Sequence, residues 1–201
     1  MLSSSKIADW LEGTEGNAHD PLVVTPLQGT ANGLRDTVGS SIDLRLGRWF
    51  LSKKAKNWSL LDVYSNEDRG LNELGLAEKH FIPFDRSFIL HPRSFVLGIT
   101  LEWIRIPRQL TASVTGKSSW GRRGVIVETA PGVHPGFSGC LTLEMTNVGE
   151  IPIAIKPGDT ICQLSFNRLE GPNEGNASGQ FIGNRQPTLG SLKPKGIHSK
   201  P

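Results

Sequence analysis

Apolar and polar residues alternate most regularly in the second half of the chain. Phe95, Leu97, Ile99, Leu101 and Trp103 fall on one face of a strand. Leu141, Leu143 and Met145 form the next clear face, with Thr142, Glu144 and Thr146 opposite. Ile151, Ile153 and Ile155 mark another, and Cys162, Leu164 and Phe166 a further one. A period of two sends side chains to alternate sides of a pleated backbone, so each run predicts a strand. Pro107, Gly116, Pro131-Gly132, Pro135-Gly136, Gly149 and Pro157-Gly158 separate the runs. Many short strands at close spacing predict an all-β barrel or sandwich.

The first half is less regular. Ser3 to Ser5 can cap a short helix with Ile7, Trp10 and Leu11 on one face, closed by Gly13. Residues 13–40 are rich in Gly, Asn, Asp and Pro and read as loop with short extended pieces. Ser41-Ile-Asp-Leu-Arg-Leu46 alternates and predicts a half-buried strand. Residues 51–80 read as irregular and exposed. From Glu170 onward the chain is polar, with much Gly, Asn, Ser and Pro. Such a segment is expected to be mobile unless a ligand or neighbour orders it. The division is therefore a β domain over 1–170 and a tail over 171–201.

Composition narrows the setting. The 201 residues suffice for one domain with its own core. A net charge of +3 is too mild to indicate a nucleic-acid or membrane partner, although it suits an anionic small ligand. No apolar run approaches membrane-spanning length. The start, Met1-Leu-Ser-Ser-Ser-Lys6, lacks the layout of a signal peptide, so the cytoplasm is the expected location. Cys140 and Cys162 both sit in apolar strand-like runs and read as buried free thiols.

Two features could carry chemistry. Gly116-Lys117-Ser118-Ser119-Trp120-Gly121-Arg122-Arg123 gathers three cations, two hydroxyls and two close-approach glycines. That composition suits phosphate, or it is an ordinary basic loop. It is not a P-loop, because Thr111 stands where that pattern needs glycine. Glu144 lies mid-strand on the polar face. It is either a solvated carboxylate or a general acid/base lining a cleft. Zinc deamination requires His-x-Glu and Pro-Cys-x-x-Cys. No histidine here has Glu two places later, and the cysteines are far apart, so a zinc-free site is expected. No Gly-x-Ser-x-Gly elbow is present.

Taken together, Lys117-Ser-Ser-Trp-Gly-Arg-Arg-Gly124, Ala130 and Pro135-Gly-Phe-Ser-Gly-Cys-Leu-Thr-Leu-Glu144 resemble the core motifs of dCTP deaminases. The likeness continues through Asn147, Gly149, Pro152, Lys156-Pro-Gly158 and Gln163-Leu-Ser-Phe166. It reaches back to Ser41-Ile-Asp-Leu-Arg-Leu-Gly47, His91-Pro92 and Trp10-Leu11, and forward to Phe181-Ile-Gly-Asn-Arg-Gln-Pro-Thr-Leu189. The resemblance implies a mainly β, dUTPase-like fold, a distorted barrel related to a jelly roll, with a short N-terminal helix and few others. It also implies a homotrimer.

By the same resemblance Glu144 is the general acid/base of a zinc-free deamination of dCTP to dUTP and ammonia. Ser118 and Arg122 position the water and Glu144, helped by the Ala130 carbonyl. Lys117 and Ser119 face the phosphates, within a loop completed by Trp120 and Gly121. Val133 and His134 lie near the sugar, and Thr142 and Leu143 run with Glu144 beside the base. Magnesium rides on the triphosphate. dUTP as product and dTTP as inhibitor are the other nucleotides implied. Some positions depart from the pattern. His134 stands where the family commonly has aspartate at the sugar. In the tail, Asn173, Gln180 and Asn184, next to Phe181, replace a tyrosine, a lysine and a glutamine that grip the triphosphate. These departures keep two other readings open: a dUTPase-like or bifunctional deaminase/diphosphatase, and a nucleotide-binding trimer that has lost catalysis.

Overall fold

The computed structural model describes residues 1–53, 77–128, 131–171, 173, 179 and 181–190. Helix α1 (Ser4–Leu11) is followed by β1 (Val23–Thr25), α2 (Ala31–Arg35), β2 (Ser41–Arg45) and β3 (Trp49–Lys53). Next come β4 (Ala77–Phe81), β5 (Phe88–Leu90), β6 (Phe95–Arg105), β7 (Leu110–Gly116) and α3 (Ser118–Gly121). The chain ends its regular part with β8 (Val125–Glu128), β9 (Gly132–Val133), β10 (Ser138–Asn147), β11 (Ile153–Ile155) and β12 (Thr160–Arg168).

The fold is mainly β, as the periodicity predicts, but the strands do not close into a barrel. They form a six-stranded sheet in the order β4-β3-β6-β10-β8 with β1 also on β6, a four-stranded sheet β2-β12-β7-β9, and a pair β11-β5. Between the two larger sheets the described residues make one isolated bridge, Leu46 to Thr100. One bridge cannot continue a ladder, so the sheets pack as layers.

The core lies between them. Leu44, Leu164 and Phe166 come from the four-stranded sheet, and Val96, Leu143 and Met145 from the six-stranded one. Helix α1 closes one end with Ile7 and Trp10, both essentially buried. Ser3 caps α1 by accepting from the Lys6 N–H at 3.3 Å, and Gly13 follows with φ +73°, as a helix stop requires. The Trp10 ring leaves no room for a side chain at Gly16, where a Cβ would come within 2.2 Å of it.

Several expectations need correction. Strand β6 covers the expected run, yet the core takes Val96 and Ile104, the opposite parity. Leu97 and Ile99 are buried on the other face, so β6 is apolar on both sides. Ile151 lies outside β11 and is 72% exposed, leaving Ile153 and Ile155 as the strand. Residues 51–53 are strand with Leu51 buried, and 77–79 pair with them while His80 pairs with Phe50, so the ends of the 51–80 stretch are regular. Its middle, 54–76, lies outside the described residues. Within 13–40 the loop carries the short helix α2, capped by Thr30. Among the described residues no helix is long and apolar enough to cross a membrane.

Candidate active site

The basic loop is a single helical turn set at the end of β7. Lys117 occupies the N-cap in extended conformation, and Arg122 N–H bonds back to the Ser118 carbonyl at 2.9 Å. Two bonds to the start of β12 pin the turn: Lys117 N–H to the Ile161 carbonyl at 3.0 Å and Trp120 Nε1 to the Thr160 carbonyl at 2.9 Å. Half-burial of Trp120 seats the turn against the core. Ser118, Ser119, Gly121 and Arg122 are left exposed on its outer side. Arg123 braces the turn by donating to the Ser119 carbonyl at 2.6 Å. The Lys117 ammonium is ion-paired with Asp43, at 2.8 and 3.0 Å from its two oxygens.

Glu144 stands on β10. Leu143 and Met145 on either side are fully buried, whereas Glu144 is exposed on the opposite face. Among the described residues no hydrogen bond or ion pair engages its carboxylate, and none joins it to Ser118 or Arg122. The turn links β7 of the four-stranded sheet to β8, the strand that pairs with β10 at Glu144. Leu143 offers only its backbone, since its side chain is in the core.

The edge of β10 is divided. Strand β8 pairs with residues 144–147. At the other end the tail docks: Gly183 N–H bonds to the Ser138 carbonyl at 2.7 Å, and Cys140 N–H to the Asn184 carbonyl at 2.9 Å. Backbone groups of an antiparallel strand point to alternate sides. Thr142 therefore turns its N–H and C=O toward the interval between β8 and the tail. Arg185 of the same tail segment lies over the Trp103 ring at 4.9 Å, and Pro187 is buried. Phe181 is 38% exposed. Asn173 meets the connection between β6 and β7, donating to the Arg108 carbonyl at 3.1 Å. Ala130 and Gln180 lie outside the described residues.

Val133 is buried and pairs with Ala112 of β7. His134 is exposed at the first position of a tight turn closed by Phe137 N–H to the His134 carbonyl at 3.1 Å. Pro135 and Gly136 occupy its centre, with Gly136 at φ +76°, the left-handed value glycine permits.

The cysteines behave as expected of free thiols, although Cys140 is only half-buried. Burial, reinforced by the Glu102 and Asp43 carboxylates, pushes the Cys162 thiol up to about 12. Among the described residues no group of three His, Cys, Asp or Glu side chains could hold a metal ion. Sequence reasoning missed Asp43 as the partner of Lys117, Arg185 on Trp103, and the wholly buried Glu102. Only Asp43 carried a signal, as the central polar position of the alternating run 41–46.

Residues 5–169 match the family model described as dCTP deaminase-like. The chain belongs to that family. Among members, the dUMP-forming dCTP deaminase of Dictyoglomus thermophilum is 38% identical over 175 residues, 87% of this chain and 83% of its own. The dUMP-forming dCTP deaminase of Persephonella marina is 38% identical over 192 residues, 96% of this chain and 97% of its own. The crystal structure of the 2'-deoxycytidine 5'-triphosphate deaminase of Agrobacterium tumefaciens superposes with a TM-score of 0.57 at 19% identity. The match covers 84% of this chain and 47% of that one, so this dCTP deaminase-like chain spans about half its length. At that identity the likeness concerns the fold.

Proposed function

We propose that this protein is a dCTP deaminase, converting dCTP and water to dUTP and ammonia with Glu144 as general acid/base. The observation that carries the reading is an exposed carboxylate, unpaired among the described residues, on a strand whose Thr142 backbone turns toward an interval in the sheet edge. Thr142 offers its main-chain groups to the edge of a base, and Leu143 and Glu144 run on beside it. Glu144 takes a proton from water as its oxygen adds to C4 of cytosine, and passes that proton to N3. A second transfer lets ammonia leave and C4 regain its carbonyl. Ser118 and Arg122 hold the water and the carboxylate, with the Ala130 carbonyl as a third partner. Lys117 and Ser119 meet the phosphates, with Trp120 and Gly121 shaping the turn. Val133 and His134 flank the sugar. Magnesium enters as part of the substrate, on the triphosphate. Fixed dipoles around the water supply the activation that a metal provides elsewhere. Activity is accordingly expected to survive zinc chelation. Loss of deamination on zinc removal, restored by zinc and not by magnesium, would overturn this mechanism.

Among the described residues no bond joins Glu144 to Ser118 or Arg122 within one chain, which supports a site completed by a second copy in a homotrimer. The outer face of the six-stranded sheet suits such contact. It carries the exposed rings of Phe81 and Phe95. The tail, with Asn173, Gln180, Phe181 and Asn184, closes over the nucleotide. A cytoplasmic setting accords with the nucleotide substrate.

A second reading concerns the product. The two relatives named above are dUMP-forming, which favours a member that also removes diphosphate. His134 in place of the sugar-side aspartate favours deamination alone. Incubating the protein with Mg·dCTP and separately Mg·dUTP, with chromatography of the products, tests both. dUTP and ammonia alone support the lead reading. dUMP and diphosphate support the second, and no conversion of dCTP refutes both.

A further inference from the structure

We infer that Asp43 is a positioning residue for the substrate phosphates, acting through Lys117. The inference rests on the reading of the chain as a dCTP deaminase. Asp43 lies on β2, opposite Gln163 of β12. Lys117 follows the end of β7, on the far side of β12. The lysine stem therefore crosses the width of a strand before its ammonium meets both Asp43 oxygens, at 2.8 and 3.0 Å. The side chains are 29% and 41% exposed, so a ligand can reach the pair from solvent.

Such an exposed pair adds little to stability. Its effect is to hold a flexible four-carbon side chain in one place at the mouth of the turn carrying Ser118, Ser119 and Arg122. The turn does not need Asp43 for its own shape, because the Ile161 and Thr160 carbonyls hold its backbone and Trp120. Loss of the carboxylate therefore falls on the ammonium alone. Two consequences oppose each other. A lysine already ordered loses less freedom on meeting a phosphate. A carboxylate also repels an incoming anion. The repulsion is the smaller effect, because contact with the ammonium cancels most of the field of Asp43 at a distance and salt screens the remainder.

The test is steady-state kinetics on the full-length protein with Mg·dCTP, comparing wild type, Asp43→Asn, Lys117→Met and the double variant. Asp43→Asn keeps the shape and removes the charge. It is expected to raise KM roughly three- to tenfold, with kcat changing by less than about twofold. Lys117→Met raises KM further, and the double variant is no worse than Lys117→Met alone, because Asp43 acts through that lysine. A purely structural pair would lower the melting temperature and leave KM in place. An unchanged or lowered KM in Asp43→Asn, or additive effects in the double variant, overturns the inference while leaving the deaminase reading intact. A wild-type protein that does not turn over dCTP overturns the deaminase reading and this inference with it.

Discussion

Glu144 breaks a rule that its own strand otherwise keeps. The apolar positions of β10 are buried, and Thr142 and Thr146 on the other face are half-buried, while the carboxylate between them is open. Because nothing in the described fold depends on it, Glu144→Gln is expected to fold normally and bind nucleotide. Turnover should fall at least about a hundredfold if the proton transfers are lost. Retention of more than about a tenth of wild-type kcat would reject general acid/base catalysis by this residue. Arg93 shows a different tension. It holds φ +60°, and its N–H bonds to the Asn147 carbonyl at 2.8 Å. A side chain in the left-handed region costs about 1–2 kcal/mol, of which glycine returns part as chain entropy. Arg93→Gly should therefore stabilise the protein by about 0.5–1 kcal/mol, read as a higher urea midpoint at unchanged slope.

Strands β6 and β10 depart from a regular ladder between Cys140 and Thr142. Leu141 faces three residues of β6, Thr100 to Glu102. Thr100 fills the irregularity by accepting from Leu141 N–H and donating to the Glu102 carbonyl, both at 2.9 Å. The bulge aims Glu102 across the layer at β2, where its carboxylate accepts from Arg45 N–H at 2.9 Å and Arg45 Nε at 2.7 Å. Arg45 in turn donates to the Pro26 carbonyl at 3.0 Å. One buried group thus couples the sheet bearing Glu144 to the four-stranded sheet from whose β7 the Lys117–Arg122 turn leaves. Glu102→Ala should cost about 2 kcal/mol, since it removes a wholly buried partner from an arginine that is only partly open to water. Chemical denaturation would show this as a lower midpoint. A loss below about 0.5 kcal/mol would mean that the arginine finds other partners.

The whole molecule is expected to work as a trimer closed by its tail. Light scattering should give three times the chain mass. If the tail closes over the nucleotide as proposed, deleting residues 171–201 should leave that assembly intact and raise KM for dCTP strongly. Segment 181–190 already rests on β10 of its own chain through Ser138 and Cys140. At about 3.3 Å per residue, that contact lies about 13 Å along the strand from Glu144. Protease protection of the tail should therefore increase with dCTP. A monomer in solution, or equal protection with and without nucleotide, would refute this arrangement.

Much of this was legible in the linear pattern. Alternation located β2, β10 and β12, because the period of a strand is a local property and half-burial writes it into neighbouring residues. The Ser3 cap, the Gly13 stop and the Pro135-Gly136 turn were readable for the same reason. The run from Lys117 to Glu144 exposed the site candidates through residue type and spacing. Other features depended on the folded chain. Both faces of β6 are apolar, so alternation could not say which meets the core. The open layering of the sheets follows from which edges pair, and pairing joins residues far apart in sequence. Asp43 and Lys117 are separated by 74 residues, and Glu102 and Arg45 by 57. No local pattern records a partner at that distance, since the free energy of such a contact exists only once two sheets have brought the groups together.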